Sequence, residues 1–463
     1  MTKTEEPSNY RTLKFVINDY QDQLTALTRR AHNLYNEALY QIRQALFNNQ
    51  NWLSYQTLNT YFKEQAKNHA NDLYRQMLYT QSAQQTLREV AGVWSAWHKA
   101  LKAYYKNPSK FTGKPKIPKY LPKNHLHIYF ITNQNARIKN GYLSIRKLPW
   151  LKIKLPKAFQ NFKRIVIRPL NHHKFMLLIQ YEIDPLPDAK PDNGKYLGLD
   201  PGVDNAFACA TNQKGIRPLL INGKPAKSIN QFYNKKRAYY NQLHAQYQQC
   251  SRIINTKKGP LTVYHDSRKQ QDLTNKRNSQ ILVFAHKVSK RIIEYALSCD
   301  ANTIVIGKNN YWKRSSKMGK RNNQNFIGLP HAQMIDLIKY KAQQVGITVI
   351  CHNESYTSQT SFLDNEKPCW DNGNKARDKQ IRALKQKGYT HQQLKEKGLG
   401  IINRRLKRGL FQSNQGYLIN ADVNAALQII KKVFSKVKAN EIGDNVFYPV
   451  KWTPQNLIHL TNV

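Results

Sequence analysis

The chain has 463 residues and is strongly basic, with 74 Lys and Arg against 28 Asp and Glu and a formal net charge of +46. Such an excess repels itself in a compact fold unless a polyanion neutralises it, and nucleic acid is the polyanion that it favours. No apolar run approaches the roughly 20 residues that span a bilayer, and MTKTEEPSNY lacks a signal-peptide core. The five cysteines form no C-x-x-C pair, so we expect a cytoplasmic protein with no membrane partner.

The N-terminal part of the chain predicts a strand, a helical block and a returning sheet. Residues 10–17 alternate in polarity like a strand, and residues 19–106 carry apolar stripes at helical spacing. Asn140-Gly141 marks a hairpin turn. Two strands near RIVIRPL and KFMLLIQYEI are expected to complete the sheet that residues 10–17 begin.

The segment NPSKFTGKPKIPKYLPK, residues 107–123, is rich in proline and lysine and cannot continue a helix. We interpret it as an extended basic strap that contacts phosphates; a solvated linker is the alternative. The candidate nucleic-acid contacts in it are Lys110, Lys114, Lys116 and Lys119.

A proline-rich stretch, residues 184–194, predicts the boundary to a second half. There YLGLD, NAFACATN and RPLLING predict three strands, followed by basic helical segments near 228–253 and 269–298. The strand TIVIG, a helix near 331–344, the strand TVICHN and a helix from Ala421 come next. Three antiparallel strands followed by strand–helix–strand is the pattern of an RNase H-like domain, so we expect a multidomain α+β protein.

Two acids in this half are candidates for holding metal. Asp200 ends the first strand in KYLGLDPGVDN, where an acid is rarely left without a partner or a metal. Asp422 opens the last helix in NADVNAAL, and a helix N-cap is its alternative role. Phosphodiester hydrolysis in such a fold uses two divalent ions about 4 Å apart. Mg²⁺ prefers carboxylate oxygens, so we expect Mg²⁺, for which Mn²⁺ can substitute.

In their order along the chain, GLDPGVDN, the basic helical pair, TIVIGKN, YTSQTSF and NADVNAAL resemble the split RuvC motifs of TnpB proteins. These are transposon-encoded, RNA-guided nucleases related to compact type V CRISPR effectors. The resemblance covers residues 194–463 closely and the N-terminal half more loosely. It implies a guide RNA, either transposon-derived or a crRNA, and double-stranded target DNA that is recognised beside a short motif and cut at one RuvC site.

The resemblance also implies domain boundaries. It assigns a wedge-type β-barrel with an inserted helical recognition domain, then the RuvC nuclease domain with its own insertions. The corresponding ranges are the wedge at 1–18 and 107–190, the recognition domain at 19–106, the RuvC domain at 191–360 and 417–463 with inserted helices at about 228–299, and a target-nucleic-acid-binding insert at 361–416.

The chain departs from the family pattern at the fourth strand, which usually ends in Glu but here ends in Gly307. Glu354 follows the next strand. Both strands are expected to be parallel, so their C-terminal ends share one edge of the sheet, about 4.8 Å apart. Some TnpB lineages and their eukaryotic relatives, the Fanzors, have a glutamate relocated in this way. The resemblance then implies Asp200, Glu354 and Asp422 as metal ligands and catalytic residues; a surface role for Glu354 is the alternative.

A second departure concerns the zinc ribbon, for which the family uses two C-x-x-C pairs. The matching positions here are about Ser361, Asp364, Ser413 and Gly416, which are not a zinc set, so we expect no zinc. The basic segment between them is predicted to be helical and to guide the target strand. Its candidate nucleic-acid contacts are Arg404, Arg405, Lys407 and Arg408.

Three alternatives to the function of an RNA-guided endonuclease remain open. A guided DNA-binding repressor would have lost the acids. A compact CRISPR-associated effector would take its guide from a repeat array. An unguided resolvase or transposase would not need so large a basic N-terminal half.

Overall fold

A computed structural model shows a mixed α+β protein that divides into two compact units, one within Met1–Pro185 and the other within Leu186–Leu460. The structure describes residues 10–48, 54–69, 72–156, 159, 161–170, 174–247, 250–256, 259–264, 266–308, 324, 327–368, 380–397, 405–407 and 409–457. Among the helices within these ranges, none has the length and apolarity to cross a membrane.

The helical block predicted in the first unit is confirmed. Its apolar stripes are buried, and Trp94 lies in the core with no exposed surface. The predicted hairpin turn is also present, with Asn140 and Gly141 both at positive φ, as a two-residue turn of this type requires. The helices are α1 (Gln21–Phe47), α2 (Tyr55–Lys67), α3 (Leu73–Gln76) and α4 (Thr80–Lys106).

The sheet of the first unit joins its first strand to its last ones, as predicted. Its four strands are antiparallel in the order β1-β7-β6-β2, and a separate meander contains β3, β4 and β5. Within the described residues these sheets do not close into the expected barrel. The strands are β1 (Tyr10–Ile17), β2 (Tyr129–Thr132), β3 (Ala136–Lys139), β4 (Tyr142–Ile145), β5 (Leu148–Lys154), β6 (Arg164–Pro169) and β7 (Phe175–Glu182).

The second unit is built on a six-stranded sheet with the order β14-β13-β8-β9-β10-β18. β9 is antiparallel to both β8 and β10, whereas β13 is parallel to β8 and to β14. The predicted pattern of three antiparallel strands followed by strand–helix–strand is therefore confirmed. The strands are β8 (Tyr196–Pro201), β9 (Asn205–Thr211), β10 (Leu219–Asn222), β13 (Thr303–Gly307), β14 (Thr348–His352) and β18 (Val450–Trp452).

Helices cover both faces of this sheet. Both faces are apolar, because the central strands are nearly continuous apolar runs whose successive side chains point to opposite faces. Leu197 and Leu199 pack with the helices of one face, whereas Tyr196 and Ala208 pack with the helix of the other. The first face carries α6 (Arg268–Ser298) and α7 (His331–Gln343), and the second carries α9 (Ala421–Val433).

Two predictions in this unit differ from the structure. The first basic helix, α5 (Lys224–Gln246), ends before residue 253, and an antiparallel hairpin of β11 (Cys250–Thr256) and β12 (Gly259–Tyr264) follows it. The predicted basic helical insert is also only partly helical. Its predicted range was 375–409, and its described residues include the short helix α8 (His391–Glu396) but also the strand β15 (Arg405–Lys407). β15 pairs in an antiparallel ribbon with β16 (Leu410–Gln412) and β17 (Leu418–Asn420), which follow the insert.

Candidate active site

Asp200 lies at the C-terminal end of β8, beneath helix α9. Residues of one strand that are two apart share a face, and Gly198, two residues earlier, faces α9. A Cβ on Gly198 would lie 2.1 Å from the carbonyl oxygen of Ala426. Only glycine therefore allows α9 to lie this close to the strand. The close packing leaves Asp200 half-buried beneath the helix.

Gly307 stands beside Asp200 on the neighbouring strand. The parallel register pairs Ile306 with Leu199, so the next residues, Gly307 and Asp200, lie side by side on the α9 face. A Cβ on Gly307 would lie 2.8 Å from Oε2 of Glu354 and 2.6 Å from Cδ1 of Ile429. The Glu354 carboxylate thus occupies the space that a side chain at position 307 would need.

Glu354 follows β14 by two residues and sits in a tight turn. The amide of Ser355 donates to Oδ1 of Asn353 at 2.7 Å, and Thr357 donates to the carbonyl of Glu354 through its amide and its hydroxyl. Tyr356 has φ +71°, in the left-handed region. These contacts turn the chain back over the sheet, so Glu354 is directed inward and is not a surface residue.

Asp422 is the second residue of α9 but not its cap. The side chain of Asn420 accepts hydrogen bonds from the amides of Asp422 and Val423, which satisfies the helix end. The Asp422 carboxylate is left to other partners. Its Oδ2 accepts a hydrogen bond from Nδ2 of Asn205 at 2.8 Å, and its Oδ1 lies 3.5 Å from Nη2 of Arg405.

The charges of Asp422 and Glu354 act on Asp200. Burial raises the pKa of Asp200 well above its usual value, and the negative charges of Asp422 and Glu354 raise it further, while Arg405 lowers it. Burial raises the pKa of Glu354 to about 7, and the Lys432 ammonium opposes this shift. The sheet end is therefore a place where a positive ligand would relieve the repulsion of buried carboxylates.

Coulomb interactions extend further than a metal's coordination shell. Within the described ranges, no group of three His, Cys, Asp or Glu side chains is close enough to form a ready-made metal site. Asp422 and Glu354 are therefore close enough to Asp200 for their charges to raise its pKa, although the three side chains do not form a closed metal site.

Two other acids near these motifs, Asp204 and Asp364, are used elsewhere. Asp204 forms an ion pair with Lys227 at 3.2 Å, and its carbonyl accepts from the amide of Gly223. Asp364 accepts a hydrogen bond from the amide of Asn414 at 2.7 Å. Asp204 therefore stabilises a local turn, whereas Asp364 joins its own turn to the distant one at Asn414.

The positions matched to zinc ligands lie in two turns joined by hydrogen bonds. Ser361 and Ser413 are fully buried. Besides the Asp364 contact to Asn414, Glu366 accepts from the amide of Ser361 at 2.8 Å and from Nδ2 of Asn414 at 3.3 Å. Gly416 has φ +90° in the turn that Ser413 begins. Side-chain carboxylates thus join the two turns.

The predicted nucleic-acid contacts fall in two places. The strap lysines Lys110, Lys114, Lys116 and Lys119 are exposed, while the strap itself is fixed to the first unit. Trp97 donates to the carbonyl of Pro115 and Arg43 to that of Pro118, and Ile117 packs against the core. The strap is therefore not a loose linker.

Of the basic residues predicted in the ribbon segment, Lys407 is exposed on β15, and Arg405 faces Asp422. Arg404 and Arg408 lie outside the described residues. Sequence reasoning listed Arg405 for nucleic-acid contact but did not place it beside a catalytic candidate.

Two residues at the site were not predicted. Asn205 is the last residue of the motif GLDPGVDN. Its position at the start of β9, opposite the end of β8, is the signal that could have identified it. Lys432 donates hydrogen bonds to the carbonyls of Asn353 and Ser355. Nothing in its sequence context marks it, because it is 78 residues from Glu354.

A family profile described as "Cas12f1-like, TNB domain" matches residues 331–429. The match spans α7, β14, the ribbon and most of α9, and so includes Glu354, Arg405 and Asp422. No curated protein sequence matches the chain.

Solved structures of Cas12 complexes resemble the chain over most of its length. A Cas12f1–sgRNA–target DNA complex is 17% identical, with 91% of this chain and 98% of that chain covered and a TM-score of 0.31. A CRISPR-Cas12f ternary complex is 14% identical, covering 89% and 82%, with a TM-score of 0.32. A Cas12i–crRNA–dsDNA complex is 10% identical, covering 90% and 70%, with a TM-score of 0.38. TM-scores this low do not establish a common arrangement, so the local profile match is the informative similarity.

Proposed function

We propose that the protein is an RNA-guided DNA endonuclease that cuts target DNA by Mg²⁺-dependent phosphodiester hydrolysis at a single RuvC-type site. The observation that carries this proposal is the meeting of Asp200, Glu354 and Asp422 at one end of the sheet, where the other two charges raise the pKa of Asp200. Buried acids are rarely gathered in this way unless they have a functional task. The Cas12f1-like profile match over residues 331–429 supports the same class.

The donor set suits a hard divalent cation. Carboxylates from three separate elements supply only oxygen ligands, which Mg²⁺ and Mn²⁺ prefer. The space above Gly307 is filled by the Glu354 carboxylate and not by a Cβ. Asp200, Glu354 and Asp422 are the residues that would hold the metal. When bound, two divalent ions would activate the attacking water and stabilise the leaving oxygen.

The surrounding residues position this set. Asn205 fixes one oxygen of Asp422, and α9, packed on Gly198, covers one side of Asp200. Arg405 brings a positive charge to the exposed side of Asp422. A guanidinium there is suited to a phosphate oxygen of the DNA backbone, because its planar donors match that geometry.

Guide RNA and target DNA are the proposed partners. The net charge of +46 and the exposed lysines on the fixed strap favour extended phosphate contacts. In guided systems the protein recognises the shape of the duplex while base pairing recognises sequence. We further assign the first unit to the wedge and helical recognition domains, and the second to the RuvC domain with its target-nucleic-acid-binding insert.

We also propose that the ribbon folds without zinc. Ser361, Asp364, Ser413 and Gly416 do not provide the Cys or His ligands of a tetrahedral site. The carboxylates of Asp364 and Glu366 join the two turns instead.

The test of guided function starts from the protein as expressed. Purified at moderate salt, it should carry RNA that can be extracted and sequenced. A duplex containing the matching segment should then be cut in Mg²⁺ and left intact in EDTA or when the segment is scrambled. Protein with the absorbance of protein alone, whose DNA cutting is unchanged by added RNA, would contradict the guided function. Guided binding with no cutting by intact protein would favour the repressor alternative.

A further inference from the structure

Helix α9 carries a row of polar residues with a spacing of four. Asn424, Gln428 and Lys432 stand one turn apart, and residues spaced by four lie on one ridge of a helix. All three bind the backbone of the segment that follows β14, residues 353–366, which we call the Glu354 segment. One ridge of α9 therefore fastens the part of the chain that carries Glu354.

The first two residues of the row hold the far end of the segment. Asn424 is fully buried, donates to the carbonyl of Thr360 at 2.8 Å and accepts from the amide of Phe362 at 2.9 Å. Gln428 donates to the carbonyl of Glu366 at 3.2 Å. These contacts anchor the segment but lie several residues from Glu354.

Lys432 acts at Glu354 itself. Its ammonium donates to the carbonyl of Asn353 at 2.9 Å and to that of Ser355 at 2.7 Å. These carbonyls precede and follow Glu354, so one charged group holds the chain on both sides of that residue. The direction of the Glu354 side chain depends on the orientation of this short stretch of backbone.

Such an anchor is needed because Glu354 is not held by the sheet. A ligand at the end of β13 would be fixed by strand pairing on both sides, since β13 lies between β8 and β14. Glu354 lies two residues beyond β14 and depends on its turn. A catalytic group displaced by about 1 Å can lose roughly 100-fold in rate, so the orientation of the turn matters.

We propose that Lys432 is a positioning residue for Glu354: by binding the carbonyls on either side, it keeps the relocated carboxylate directed over Gly307 and toward Asp200. The inference rests on the proposed nuclease function. It assigns Lys432 no contact with metal or DNA.

The test compares Lys432→Met and Lys432→Arg with a neighbouring control, Lys431→Met. Lys431 approaches Oδ1 of Asn365 at 3.4 Å, far along the segment from Glu354, and its replacement changes the net charge equally. Three quantities are measured for each variant: hydrogen exchange of amides 355–357 without metal, guided DNA affinity, and cleavage rate at saturating DNA over a series of Mg²⁺ concentrations.

Lys432→Met should expose the amides of the turn to faster exchange and lower the cleavage rate by roughly 10- to 100-fold. It should also raise the Mg²⁺ concentration for half-maximal cutting, with DNA affinity within about 2-fold of wild type. Lys432→Arg, which keeps the charge and donors and is expected to fold if the Met variant does not, should recover part of the rate. Lys431→Met should resemble wild type.

The failure of this inference is distinct from the failure of the proposed function. If Glu354→Ala is inactive while Lys432→Met matches Lys431→Met in exchange and cleavage, Lys432 is not a positioning residue. If Glu354→Ala cuts at the normal rate, the assignment of the active site is wrong instead.

Discussion

Burial raises the pKa of Glu354 to about 7 and that of Asp200 well above its usual value. An exposed glutamate ionises near pH 4.5, so between about 4.5 and 7 the folded protein binds more protons at Glu354 than the unfolded chain does. Because the folded protein binds the extra proton, its stability falls as the pH rises through this window. Above about pH 7 the cost of the buried charge is fully present unless a cation offsets it.

This predicts that Glu354→Gln stabilises the protein selectively at higher pH. Each pKa unit corresponds to about 1.4 kcal/mol, so with chelator present the variant should gain on the order of 2–3 kcal/mol over wild type between pH 5 and pH 8. Denaturant unfolding at the two pH values measures the difference. A gain of the same size at both pH values would mean that the pKa of Glu354 is not raised in the folded protein.

The packing around Gly307 determines whether a glutamate at position 307 can replace Glu354. In a Glu354→Ala background, Gly307→Glu alone should restore little cleavage, because its Cβ would lie 2.6 Å from Cδ1 of Ile429. Adding Ile429→Val removes that methyl group and should raise the cleavage rate above that of the double variant. Equal activity of the double and triple variants would show that this contact does not limit the return of the ligand.

At the scale of elements, strand periodicity predicted most of what places the site. The short apolar runs YLGLD and TIVIG predicted buried strands, and the helical connection predicted their parallel direction, so the ends that carry Asp200 and Gly307 were expected to adjoin. Glu354 could be placed one strand away by the same reasoning. This much follows from local pattern and from the rules of strand connection.

The parts that were missed depend on packing between distant segments. Arg405 meets Asp422 only because β15 and β16 pair as part of the ribbon beside α9, and ribbon register cannot be read from residues 405–420. Lys432 reaches Glu354 through the crossing of α9 over the sheet. The predicted helix 228–253 ran into the start of β11, because the polar residues around 247–252 give no signal that separates a helix end from a strand.

The ribbon turns give a prediction about metal dependence. Glu366 joins Ser361 and Asn414, so Glu366→Gln should lower the unfolding temperature of the second unit, whereas a zinc-selective chelator, with Mg²⁺ kept in the buffer, should not. Glu396→Gln, on the exposed face of α8, is the matched control and should have no effect. Elemental analysis that finds one tightly held zinc per chain, or unfolding by the zinc-selective chelator, would overturn the assignment of these carboxylates as the link.

At the scale of the whole molecule, nucleic-acid binding and DNA cleavage depend on different residues. The excess of basic residues is spread over both units, whereas the cleavage site needs only a few buried carboxylates in the second. Removing one carboxylate changes a net charge of +46 very little, and guided binding depends on many phosphate contacts and on base pairing. Binding and cutting should therefore separate in single-residue variants.

The measurement that tests the central claim most directly is cleavage of a matched DNA duplex in Mg²⁺ by protein carrying its guide RNA, comparing Glu354→Ala with Asp204→Ala. Glu354→Ala should bind the duplex as tightly as wild type and cut it at least roughly 1,000-fold more slowly, as expected when an essential metal ligand is removed. Asp204→Ala, which breaks the ion pair with Lys227, should still cut. Normal cutting by Glu354→Ala, or loss of cutting in Asp204→Ala alone, would contradict the account.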